Sequence, residues 1–221
     1  MPYGSAKDMP SIIELNKQLA AYRWLQYFAP KKKRPNAKEI RQQVEYITDT
    51  VDSFYALLGP RHWVFHDNLN LERMAAIVSK HHDNADAAEA ALIAYYQDEE
   101  LLRFWARRLG NRKAMKSRRH LIEHALDDYF SGRYYAVVHV LLSVMDGYVN
   151  DTDTQLRKGL HARKNEDVDA WDSVVGHHPG LTHAHATFRK GFYATDEPET
   201  FELYRNGIVH GMLPNYDNVM S

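Results

Sequence analysis

The sequence predicts an all-α protein, and three observations carry that expectation. Val44, Ile47, Val51, Phe54, Leu57 and Leu58 recur at helical spacing, which lays them along one stripe of a helix. Helix stops such as Pro30, Gly59-Pro60, Gly110-Asn111 and Gly132 separate the periodic runs. Arg133 to Val149 is apolar over so much of its circumference that it belongs at the centre of a bundle. No repeat of fixed period is evident, which argues against a solenoid.

Taken in order, Ser11 is positioned to cap a helix running to about Phe28, with Ile12, Leu15, Leu19 and Tyr22 on its apolar side. Lys31-Lys32-Lys33-Arg34, between Pro30 and Pro35, reads as a solvated loop or as a basic patch for nucleic acid. A long packing helix then fits Ala37 to Leu58. Trp63 and Phe65, in a short extended segment, read as core anchors. Helices follow from Asn70 to Lys80 and from Asp83 or Asn84 to Tyr96. The antiparallel pair 113–130 and 133–149, joined at Gly132, comes next. Residues 150–180 read as a polar connection around a short helix near Trp171. A helix from Thr182 to Lys190 and a last one from Glu199 to Met212 complete the chain.

Composition limits the chemistry. The 221 residues suffice for a core without staples, and the absence of cysteine rules out disulfides, thiolate nucleophiles and thiolate zinc sites. No apolar run approaches the ~20 residues of a membrane span, and the polar start has no signal-peptide core, so a cytoplasmic protein with no membrane partner is expected. The net charge of −1 provides no global pull on a polyanion, so any such binding must be local. One stretch offers it. Arg103, Arg107, Arg108, Arg112, Lys113, Lys116, Arg118 and Arg119 occur without an intervening acid. The negative end of a helix at Gly110 accounts for the first of these cations but not for the rest, which leaves an RNA-phosphate track beside the reading of a solvated face.

His81-His82, His120 with His124 and Asp127, and the cluster His177, His178, His183 and His185 are candidate metal positions. None has a complete ligand set at a fixed spacing, so no metal and no cofactor is expected. Tyr204 to Gly211 is more informative. Arg205, Asn206 and His210 bring a permanent cation, an amide and an imidazole within two helical turns, a combination suited to phosphodiester chemistry. On a regular helix Asn206 shares a face with His210, so its amide can orient the ring, whereas Arg205 lies roughly 140° away. One helix cannot easily aim both at one atom, which calls for a distorted helix or for two protomers. Gly207 and Gly211, four apart, would leave a bare helix face for a close two-fold contact. Looser Arg-to-His pairs exist at Arg61, Arg118, Arg119 and Arg133, but only Arg205 combines the Asn, the flanking glycines and the late position.

This Arg-Asn-x3-His arrangement resembles the signature of the HEPN superfamily of small helical nucleases and nucleotide-binding domains. The resemblance covers about residues 113–221, so the chain divides into an N-terminal helical region, 1–110, and a HEPN-like antiparallel bundle, 111–221. Members of that superfamily usually continue into a further helix beyond the point where this chain ends. The resemblance implies a metal-independent endoribonuclease of toxin or antiphage-defence type, a homodimer through the Gly207/Gly211 face, and an antitoxin or other regulatory protein as partner. Arg205, Asn206 and His210 would be its catalytic residues and RNA its substrate. The alternative is a non-catalytic helical module that binds RNA, a nucleotide or a protein. Within the central helix, His139 and Asp146 read either as satisfied buried polar groups or as supports for Arg205 and His210.

Overall fold

In the computed structural model, which describes residues 4–25, 36–66, 68–152, 204–214 and 216, helices begin where a side-chain oxygen takes up an otherwise unpaired amide. The described residues contain eight α-helices and no strand: α1 Pro10–Leu25, α2 Ala37–Leu58, α3 Leu71–Lys80, α4 Ala85–Tyr96, α5 Glu99–Gly110, α6 Arg119–Phe130, α7 Tyr134–Thr152 and α8 Arg205–Val209. Asn36 Oδ1 accepts from the amides of Lys38 and Glu39 at 3.2 and 3.4 Å, while its Nδ2 donates to Glu39 Oε1 at 2.6 Å. Asn70, Asn84 and Asp98 cap α3, α4 and α5 by accepting from Arg73, Ala87 and Leu101. Such a cap contributes about 1 kcal/mol.

Three expected helices change their bounds, and the last, expected from Glu199 to Met212, spans only Arg205–Val209 among the described residues, entered from an extended Tyr204. The first helix starts at Pro10 rather than after a Ser11 cap, because proline at the first helical position has no N–H to leave unpaired. The helix expected from Lys113 starts only at Arg119. The residues before it form turns closed by Met115 N–H to Arg112 O and Arg118 N–H to Met115 O, both at 2.9 Å. These turns send Met115 into the core beside Ile122 and Val144. The helices expected near Trp171 and at 182–190, the basic run 31–34 and the four histidines from 177 to 185 lie outside the described residues.

By contacts, the described residues divide inside α4: those through Ala88 form one compact unit and those from Glu89 another. A boundary at residue 110 would separate α5 from α6. Arg103 nonetheless ties Glu99 of its own helix to Asp127 of α6, at 2.8 and 2.9 Å.

In the first unit α2 is the spine. Phe54 and Leu58 are fully buried, and Phe54 meets Phe65 edge-on at 5.3 Å. Asp52 holds the N-terminal turn by accepting from Ser5 Oγ at 2.5 Å and from the Ala6 amide at 2.8 Å. Leu19 of α1 is buried, and Ile12 and Leu15 of the same stripe are half-buried. Ile47, expected on the buried stripe of α2, is instead exposed; Thr48 and Thr50 are buried, their hydroxyls donating to backbone carbonyls of the preceding turn.

In the second unit Tyr95 and Tyr96 of α4 pack on Trp105 of α5, both at 5.9 Å. Helix α6 returns along α7 after Gly132, whose φ of 72° makes the sharp turn that glycine adopts without strain. No helix among the described residues is long and apolar enough to cross a membrane.

The first unit provides a pH test. Tyr55 Oη accepts from the Phe65 amide at 3.1 Å, and burial pushes its hydroxyl up to about 12. The folded chain therefore holds this proton more tightly than the unfolded chain does. Stability from this group is complete below the ordinary tyrosine value of about 10 and is lost as pH rises from there toward the folded value. Denaturant unfolding across that window is expected to show a loss of about 2–3 kcal/mol for the intact protein. Tyr55→Phe is expected to be less stable at neutral pH by about 1–3 kcal/mol, through the stranded Phe65 amide, and to fall less in alkali.

Candidate functional site

The candidate site forms where α8 lies on α7. Three contacts fix the direction of the overlay: Arg205 reaches Asp146, Ile208 clusters with Val138 and Leu142, and Tyr216 meets the His139 ring at 5.4 Å. Later residues of the C-terminal segment thus meet earlier residues of α7, so the segment runs antiparallel to it. Ile208 and Leu213 are each 1 % exposed, and burying two such side chains supplies roughly 3–6 kcal/mol of adhesion.

Five residues make a very short helix, and its end is built by glycine. Gly211 has φ 71° and follows the C-cap His210. Met212 N–H donates to Gly207 O at 2.8 Å and Gly211 N–H to Ile208 O at 3.1 Å. This is the Schellman pattern, which needs a left-handed residue at Gly211. The expected bare face of Gly207 and Gly211 is therefore not present: Gly207 is buried, and Gly211 lies beyond the helix as its terminator.

The three signature residues take different environments. Arg205 donates from Nη2 to Asp146 Oδ2, with the two side chains 18 % and 22 % exposed. Its Nε is buried and finds no acceptor. His210 is exposed, and its imidazole makes no hydrogen bond among the described residues. The backbone N–H of His210 donates to Asn206 O at 3.1 Å. Within one protomer, Arg205 is turned to α7 while His210 faces solvent, as the angular offset along the helix requires.

Asp146 is thus an ion-pair partner of Arg205. His139 sits one heptad earlier on α7 and is exposed, with Tyr216 against its ring.

The basic stretch separates into two groups. Arg103 holds Glu99 and Asp127, and the hydrogen bonds it donates to both carboxylates raise its already high pKa. Arg118 reaches Asp151 at 2.7 Å and the Ala114 carbonyl at 3.2 Å, passing over Gly147, where a Cβ would come within 2.7 Å of its Nε. Arg119 pairs with Glu123 at 2.8 Å. These three fasten α5, α6 and α7 to one another or to themselves. Arg107, Arg108, Arg112, Lys113 and Lys116 are exposed. Arg108 stands 5.7 Å over the Phe104 ring, an aromatic that the cation pattern alone did not single out.

No group of three or more His, Asp or Glu side chains among the described residues is placed to hold a metal; His120 and His124 are both exposed on α6. In the first unit a groove of about 490 Å³ is lined by Tyr46, Asp49, Ser53, Ser79 and His82 among others. It has no arginine or lysine in its lining, so it is poorly composed for phosphate. Comparison with protein families, characterised proteins and solved structures found no match for this chain.

The cap geometry can be checked directly. Gly211→Ala is expected to cost about 1–2 kcal/mol in chemical denaturation, since an L side chain at that φ is strained although nothing lies within 4 Å of the added Cβ. Gly211→Asn is expected to cost clearly less.

Proposed function

We propose that this protein is a metal-independent endoribonuclease whose site combines Arg205 and His210 across a homodimer. The observation that carries the reading is the state of Arg205: one edge of its guanidinium is half used, with Nη2 on Asp146 and Nε lacking an acceptor. A buried donor without a partner costs about 1–3 kcal/mol, and a phosphoryl oxygen reaching that edge as the guanidinium turns would satisfy it. The resemblance to the HEPN signature supports the same reading.

In the proposed reaction His210 removes the proton from a ribose 2′-hydroxyl. The freed oxygen attacks the adjacent phosphorus, the bond from phosphorus to the 5′-oxygen breaks, and that oxygen takes a proton from the partner protomer's copy of the same histidine. The products are a 2′,3′-cyclic phosphate and a 5′-hydroxyl. An imidazole fits both roles because it gains and loses a proton near neutral pH. Arg205 neutralises charge growing on the phosphoryl oxygens. Asn206 lies between them in sequence and is assigned to a phosphoryl oxygen. A composite site accommodates the opposite directions of Arg205 and His210 within one chain.

The pairing of Arg205 with Asp146 also favours a second reading. A guanidinium neutralised inside its own protomer suits a non-catalytic module that binds RNA through the exposed cations of residues 107–116, and a regulatory protein partner fits either case.

The purified protein incubated with RNA and a chelator separates the two. Cleavage that falls about 10²- to 10⁴-fold in His210→Ala, with 2′,3′-cyclic phosphate ends in the wild-type products, is the expected result. Arg205→Lys is expected to lose most activity, because an ammonium has no planar edge. Retained RNA binding with no cleavage by the wild-type chain would establish the second reading instead.

A further inference from the structure

We infer that the outer face of α5, centred on Phe104 and Arg108, is a docking surface for single-stranded nucleic acid, with a base stacked on the Phe104 ring. It rests on the RNA-binding part of the reading above and does not depend on cleavage.

Phe104 is 46 % exposed in the middle of a helix whose other large apolar side chains, Leu101, Leu102, Trp105 and Leu109, are half-buried. An aromatic ring exposed to that degree offers a flat apolar face on which a base can stack. Arg107 and Arg108 follow at three and four residues, which puts both beside the ring on the same helix surface. Arg108 already lies over the ring, 5.7 Å from its centroid, a cation–π arrangement that sets a positive charge against one face of the platform.

The cations continue past the helix end. Lys113 and Lys116 are exposed, and no acid occurs between Leu101 and Arg119. Glu100 begins the face and is the last acid before it. Arg103, Arg118 and Arg119 are excluded from the surface because carboxylates of this chain already hold them. What remains is an aromatic ring bordered by cations, the pairing that single strands require: every base has a stacking face and every linkage a negative charge. A duplex hides its base faces, and an acidic peptide has nothing to stack, so the exposed ring decides for a single strand.

Fluorescence anisotropy of the full chain with a labelled 2′-O-methyl oligouridine tests this, since that strand lacks the hydroxyl needed for self-cleavage. Phe104→Ala is expected to weaken binding roughly 5- to 150-fold and to leave its salt dependence unchanged. Phe104→Tyr is expected to bind like the wild type. Arg107→Ala and Arg108→Ala should each reduce the slope of log affinity against log salt by about 0.7. An abasic strand of the same length should bind like the Phe104→Ala variant binds the uridine strand.

Equal binding by wild type and Phe104→Ala, equal binding of abasic and uridine strands, preference for a duplex, or displacement by polyglutamate as effective as by oligouridine would each overturn the proposal. The test is separate from cleavage. Loss of the proposed nuclease activity with this binding intact would overturn the catalytic reading alone, and oligouridine binding that is indifferent to Phe104 in a chain that still cleaves RNA would overturn this one alone.

Discussion

The second unit depends on one constraint: α7 is too apolar to be covered from a single side. Val144 points into the cluster built by Met115 and Ile122, whereas Val138 and Leu142 point into another built by Ile208 and Leu213. Helix α6 satisfies the first face through a tight return at Gly132. The second face has to be covered by chain from much later in the sequence, and residues 204–213 provide it. Asp146 stands beside this second face, so the same docking that buries Ile208 carries Arg205 to a carboxylate. The candidate site is in this sense a consequence of core packing.

Under the proposed function Arg205 would have two roles with different demands. As an anchor it neutralises Asp146 in a place where neither side chain is well solvated, and removing either partner would strand the other. As a phosphate ligand it would have to turn part of its planar edge toward substrate. Its Nε, buried without an acceptor, is the donor that the pair with Asp146 leaves unused. The exposed His210 has no such conflict; its place is fixed by the backbone of the helix end, which Gly211 terminates.

Most of the fold was legible in the sequence because its signals are local. Gly59-Pro60 marks the end of α2, Asn70 and Asn84 open α3 and α4, and Gly110-Asn111 closes α5, each by a cap or stop that needs no tertiary partner. The late start of α6 was not legible, since it depends on Met115 finding Ile122 and Val144 across the bundle. Ile47 fits the stripe of α2 by period yet is exposed, because periodicity gives a direction and not the width of the neighbouring helix. The arginine run shows the same limit: only folded coordinates distinguish Arg103, bound by Glu99 and Asp127, from Arg107. Asp146 did carry a signal, an acid in the most apolar helix, but its partner lies 59 residues away.

The central claim is that the docking of α8 on α7 brings Arg205 and Asp146 together as an energetically coupled pair. A double-mutant cycle with Asp146→Ala, Arg205→Ala and the combined variant, read by chemical denaturation, tests it most directly. The account predicts that the two losses fail to add by about 1–3 kcal/mol, with the double variant more stable than the sum requires. Losses that add to within about 0.3–0.5 kcal/mol would contradict it, and would mean that the two residues act independently.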